Sequence, residues 1–174
     1  MNLPTWITFS RLLGVPFILY LLYEPTETHR WVCLMIFLLA ASTDWLDGYL
    51  ARKMDLVSDL GKFLDPLVDK LLVFAPLLAL IELGQIPAWA VFLILARELA
   101  IAGWRVSQQK ISGANIWGKL KTVTQILAIA LLIAPLPPVW QSTALIAFWG
   151  AVALTLISGL IYVLPSAEKT VSDY

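Results

Sequence analysis

Ser142-Thr143-Ala144-Leu145-Ile146-Ala147-Phe148-Trp149-Gly150-Ala151-Val152-Ala153-Leu154-Thr155-Leu156-Ile157-Ser158-Gly159-Leu160-Ile161-Tyr162-Val163-Leu164 contains no charged side chain. A bilayer-spanning helix needs about 20 mostly apolar residues, and this stretch supplies them. Further apolar stretches lie near 5–23, 31–50, 63–81, 87–104 and 120–139. With 142–164 they make six expected transmembrane helices that use nearly all of the 174 residues as a single domain. The composition agrees: 60% of residues are hydrophobic and 14% charged, with a mean hydropathy of +0.82. An all-α integral membrane protein is the expected fold class. Any chemistry must then come from side chains on the helices or in their short connections.

Twelve basic and twelve acidic residues balance, which argues against a nucleic-acid binder. The distribution of charge says more. Arg11, Arg52, Lys53, Lys62, Arg105, Lys110, Lys119, Lys121 and Lys169 fall on one side if successive connections alternate across the membrane, and only Arg30 falls on the other. The positive-inside rule then puts both termini in the cytoplasm. Trp31, Trp89, Trp104, Trp117 and Trp140 stand near predicted helix ends, where amphipathic rings meet lipid headgroups. The segment from Asn2 to Arg11 is too polar for a clean span and is expected to begin as a short interfacial helix before the apolar run from Leu12. Arg11 and the Glu24-Pro25 pair argue against a cleaved signal there. Cys33, the single cysteine, rules out an internal disulfide and suits a small buried residue.

Between the second and third apolar runs the chain reads Asp44-Trp45-Leu46-Asp47-Gly48-Tyr49-Leu50-Ala51-Arg52, then Gly61-Lys62-Phe63-Leu64-Asp65-Pro66-Leu67-Val68-Asp69-Lys70. Asp44 and Asp47 are spaced i,i+3 and Asp65 and Asp69 i,i+4, so each pair shares one face of its helix. An aspartate at a helix centre costs roughly 2.5–3.5 kcal/mol on insertion scales, so four unpaired would cost on the order of 10 kcal/mol. Salt bridges to Arg52, Lys53, Lys62 and Lys70 would neutralise any one of them. Facing carboxylates also supply the hard oxygen ligands that Mg²⁺ or Mn²⁺ prefer, and two cations roughly 3.5–4 Å apart can clamp a phosphoryl group. Gly48 and Gly61 suit either close approach of a diphosphate or tight helix packing. Arg52 suits either a phosphate or a topological anchor.

The pattern Asp-x2-Asp-Gly-x2-Ala-Arg-x8-Gly-x3-Asp-x3-Asp over residues 44–69 resembles the signature of CDP-alcohol phosphotransferases, with all specified positions present. The resemblance implies two divalent cations, Mg²⁺ or Mn²⁺, held by Asp44, Asp47, Asp65 and Asp69, with Asp69 as general base. It implies that Gly48, Arg52 and Ser58 hold the CDP moiety of CDP-diacylglycerol, that the acceptor hydroxyl displaces CMP, and that the protein is a homodimer. Residues 2–11, 63–70, 96–98 and 117–122 are similar to the phosphatidylglycerophosphate synthase branch, mostly bacterial, whose acceptor is glycerol 3-phosphate. A multi-pass protein of the cell inner (plasma) membrane, active on its cytoplasmic side, is what that branch implies.

Arg97, Arg105, Lys119 and Lys121 are the candidate ligands of an anionic acceptor, although the last three also serve as orientation charges or lipid-headgroup contacts. Arg97-Glu98, an ionisable pair inside an apolar run, is the stronger functional candidate. Other acceptors, namely phosphatidylglycerol, inositol phosphate or serine, would leave the donor site unchanged. A divalent-cation transporter would place acidic residues nearer mid-membrane and show a broken helix pair or repeat. A purely structural membrane protein leaves the four-aspartate spacing unexplained.

Overall fold

The computed structural model describes the backbone of residues 3–54, 59–107 and 116–171, and side-chain environments within 8–43, 64–104 and 118–161. Every regular element among them is helical: α1 Leu3–Tyr23, α2 Glu27–Met54, α3 Asp59–Glu82, α4 Ala88–Ser107, α5 Ile116–Ile133, a 3₁₀ turn Pro138–Trp140, and α6 Gln141–Val171. All six expected spans therefore coincide with helices. The boundaries differ where hydropathy and helix length part company. Helix α2 runs on to Met54 and α3 starts at Asp59, so most of the motif lies on helix rather than in a loop. Helix α5 stops at Ile133, short of the expected 139, because the Pro135, Pro137 and Pro138 run lacks the amide donors a helix needs. Helix α6 continues past 164, through Pro165, to Val171.

Local chemistry explains the sharp ends. Thr26 caps α2, its Oγ1 accepting from the His29 amide at 3.1 Å and its carbonyl from Arg30 N at 3.0 Å. Helix α3 ends in a Schellman turn. Gly84 takes the left-handed conformation at φ 67°, Gly84 N donates to Ile81 O at 2.9 Å, and Gln85 N donates to Leu80 O at 3.0 Å. Pro87 follows and fixes the entry to α4.

The bundle is held by apolar packing in the half that contains these turns. Ile18, Leu22, Cys33, Phe37, Leu77, Leu80, Ile94, Ile129, Ile133 and Phe148 are fully or nearly fully buried and belong to one core. Helix α1 packs on α2 and α3, while α6 packs on α4 and α5. The α1–α2, α3–α4 and α5–α6 connections meet at one end. There Arg30 donates to the carbonyls of Leu132 (3.3 Å) and Ile133 (3.5 Å), closing the C-terminus of α5. Gln85, oriented by its partners, accepts from Arg30 at 2.6 Å and donates to Leu132 O at 3.3 Å. The polar residues of the motif lie at the opposite end.

Among the described residues one helix, Pro138–Ile161, is long and apolar enough on its own to cross a membrane, with a mean hydropathy of 2.2. Each of the six helices also turns large apolar side chains outward: Phe17, Met35, Leu78, Phe92, Leu127 and Ile146 are all exposed.

Candidate functional site

Two polar clusters occupy the end opposite the Arg30 turn. The first lies between α1 and α3. Asp65 and Asp69 stand one turn apart on α3, as their spacing requires, and their side chains keep 45% and 42% of their exposure. Thr8 and Arg11, one turn apart on α1, face them. Thr8 Oγ1 donates to Asp65 Oδ1 at 2.6 Å, and Arg11 donates to Asp69 Oδ1 at 2.8 Å. A second Arg11 nitrogen stands 4.0 Å from Asp65 Oδ1. The Arg11 side chain is only 2% exposed, so a buried guanidinium supports two half-exposed carboxylates.

The expected interfacial segment is thus continuous with α1, and within it Thr8 and Arg11 are buried against α3. Lys70, a candidate salt-bridge partner for the aspartates, turns back to the Pro66 carbonyl at 3.2 Å.

The second cluster joins α4, α5 and α6. Glu98 Oε1 accepts from Arg97 at 3.0 Å and also from Lys121. Arg97 donates through its other terminal nitrogen to Ser158 Oγ at 2.9 Å. Ser158 donates to the Thr155 carbonyl at 3.0 Å, and Thr155 accepts from Gln125 Nε2 at 3.1 Å while donating to Ala151 O at 2.7 Å. Arg97, Lys121 and Glu98 keep only 13%, 9% and 18% of their side-chain exposure.

The structure therefore gathers two of the four expected metal ligands, Asp65 and Asp69, and two of the four acceptor candidates, Arg97 and Lys121. Lys119 is exposed. Asp44, Asp47, Gly48 and Arg52 lie on α2 with the helical spacing expected of them, but their side chains and that of Arg105 fall outside the described residues, as does Ser58 entirely. Among the described residues no three potential metal-ligating side chains come together. Sequence reasoning missed Thr8, Arg11 and Ser158 as parts of the site. The available signal was an ionisable or hydroxyl side chain repeated at i,i+3 beside or within an apolar run: Thr8 with Arg11, and Thr155 with Ser158.

Helices that are apolar outside, with the Arg11–Asp65–Asp69 and Arg97–Glu98–Lys121 clusters gathered at one end, define a lipid-compatible helical bundle with a carboxylate centre. Comparison with known proteins gives that class a family. The CDP-alcohol phosphatidyltransferase family model matches residues 1–157. The chain is 38% identical over 179 residues to the CDP-diacylglycerol–glycerol-3-phosphate 3-phosphatidyltransferase of Bacillus subtilis, covering 92% of this chain and 93% of the relative. It is 33% identical over 169 residues to the Haemophilus influenzae protein of the same name, covering 92% and 91%. A third relative, CDP-diacylglycerol–glycerol-3-phosphate 3-phosphatidyltransferase 2 of Arabidopsis thaliana, is 42% identical over 151 residues, covering 76% of this chain and 64% of that protein. The chain belongs to the CDP-alcohol phosphatidyltransferase family.

Proposed function

We propose that the protein transfers the phosphatidyl group of CDP-diacylglycerol to glycerol 3-phosphate, releasing CMP and forming phosphatidylglycerophosphate. The observation that carries this reading is similarity along more than nine tenths of the chain to relatives whose names state that reaction. In the transfer, an acceptor hydroxyl oxygen bonds to the lipid-side phosphorus, the phosphorus–oxygen bond to CMP breaks, and the hydroxyl proton passes to Asp69.

The described half of the carboxylate centre suits a hard divalent cation. Asp65 and Asp69 present oxygen donors from one helix face, half open to the outside, while Thr8 and Arg11 fix their orientation through Oδ1. Asp44 and Asp47 complete the proposed set from α2, which packs on α3. Two Mg²⁺ or Mn²⁺ ions bound there would supply stabilisation for the charge that develops on the transferring phosphoryl group. Gly48, Arg52 and Ser58 hold the CDP moiety. Arg97 and Lys121, together carrying one more charge than Glu98 cancels, attract the phosphate of the acceptor. Arg105 and Lys119 reinforce that attraction from nearby positions in the chain.

The chain forms a single domain whose six helices cross the cell inner membrane, with both termini and the site on the cytoplasmic side, and it works as a homodimer among membrane lipids. The outward apolar side chains on all six helices and the bias of Lys and Arg to one set of connections support the membrane placement.

The test is an acceptor panel. Full-length protein in phosphatidylcholine vesicles with Mg²⁺ and labelled CDP-diacylglycerol is given glycerol 3-phosphate, phosphatidylglycerol, inositol phosphate or serine. Glycerol 3-phosphate is expected to drive CMP release, and chelation of the metal to stop it. Background release with glycerol 3-phosphate, or faster release with another acceptor, overturns the assignment.

A further inference from the structure

Arg97 sits on α6 in a way that its own helix does not explain. Its stem crosses Gly159: a Cβ at that position would stand 3.0 Å from Arg97 Cγ, 3.2 Å from Nε and 3.7 Å from Cδ. The three atoms nearest that Cβ all belong to Arg97, so the space the glycine leaves open is taken by the Arg97 stem. Gly150, on the same helix, has nothing within 4 Å of its own hypothetical Cβ. Beside Gly159, Ser158 accepts the Arg97 head at 2.9 Å and is itself anchored to the Thr155 carbonyl at 3.0 Å. Thr155 is tied in turn to Gln125 of α5. Arg97 Nε is buried without a hydrogen-bond partner among the described residues. Glu98 holds one terminal nitrogen of Arg97, and what meets the side chain on α6 is the bare Cα of Gly159 and the hydroxyl of Ser158.

We infer that Ser158 and Gly159 are positioning residues, a seat on the last helix that sets where Arg97 presents its charge and so sets the affinity for the anionic acceptor. This rests on the proposed role of Arg97 toward glycerol 3-phosphate. The seat lies just past residue 157, where the family match ends. The guanidinium is planar and reads position as well as charge, so a shift of a few tenths of an ångström weakens a two-point grip on phosphate oxygens. The CDP-diacylglycerol side of the reaction, gathered around the aspartates of α2 and α3, does not depend on this seat.

The experiment measures initial rates of full-length protein in phosphatidylcholine vesicles, varying glycerol 3-phosphate and CDP-diacylglycerol separately. Ser158→Ala and Gly159→Ala are each expected to raise KM for glycerol 3-phosphate about three- to tenfold, the scale of one weakened charge-assisted hydrogen bond, with KM for CDP-diacylglycerol within about twofold of the parent. Ser158→Thr, which restores the hydroxyl, is expected to recover most of the affinity. Gly150→Ala makes the same helix-favouring change in open space and is expected to match the parent. Unchanged KM for glycerol 3-phosphate in Ser158→Ala and Gly159→Ala, with a raised value in Arg97→Lys, overturns the seat and leaves the role of Arg97 standing. An unchanged value in Arg97→Lys as well removes that role and the seat with it. Lower kcat and thermal stability with neither KM altered makes the seat structural only and also overturns the inference. Absence of any turnover with glycerol 3-phosphate in the parent protein is the separate failure of the acceptor assignment.

Discussion

The two polar clusters use the same side-chain chemistry in opposite arrangements. Between α1 and α3, one buried cation serves two half-exposed acids, so acids outnumber cations in the ion pairs described there. Among α4, α5 and α6, one largely buried acid serves two more deeply buried cations, leaving an excess positive charge. The first arrangement favours an incoming cation and the second an incoming anion. Opposite charges at one end of an apolar bundle suit the proposed pairing of a metal-dependent donor with a phosphate-bearing acceptor. The positive charge is the poorly solvated one, so an anion bound there would supply what water does not.

The sharpest way to break this comparison is to remove the negative excess. Asp65→Asn or Asp44→Asn is expected to lower CMP release by roughly 100-fold or more, with helical circular dichroism retained, because the proposed metal clamping and its charge stabilisation would be lost together. Turnover at the parent rate in either variant would rule out the carboxylate centre as the site of chemistry. Arg11→Ala comes next. Losing the group that orients both carboxylates is expected to cost about 10- to 100-fold in activity, measured with Mg²⁺ titrated to saturation, and Arg11→Lys should recover part of it. Its stability cost, about 1–2 kcal/mol in detergent unfolding, is modest because the acids left behind are already half solvated.

The reverse test acts on the positive cluster. Glu98→Gln leaves Arg97 and Lys121 to repel each other, with an expected stability loss of about 2–4 kcal/mol by thermal unfolding, just below the range for a fully buried pair. A variant as stable as the parent would mean that water or lipid headgroups already neutralise those cations. Smallest of all, Arg30→Ala at the far end removes a cap on α5 and is expected to cost about 1 kcal/mol with turnover unchanged. A large activity loss there would show that the two ends are coupled and that the comparison is too local.

The helices were legible because each carries an apolar run long enough to announce itself. Their ends were less so. Hydropathy senses the stretch suited to lipid, whereas α2 and α3 continue as helix through polar motif residues such as Arg52 and Lys62, and α6 continues through Pro165. The aspartates of the site were legible because Asp65 and Asp69 repeat at a helical interval. Their partners were not. Arg11 reads equally well as an orientation charge, and nothing in a linear sequence says how far each helix is rotated about its axis. Ser158 reads as one more small residue in an apolar run until α6 is packed against α4 and brings it under Arg97.

The contacts that build both clusters join residues far apart in the chain: 58 positions separate Arg11 from Asp69, and 61 separate Arg97 from Ser158. During synthesis, then, Arg11 emerges long before the carboxylate that will receive it, and the acid centre can close only after a third helix has left the ribosome. Arg97 waits longer still, for the final helix. The chain acquires its acid-rich cluster and its cation-rich cluster at different moments of its own biogenesis, and a nascent chain halted between them would have the first without the second.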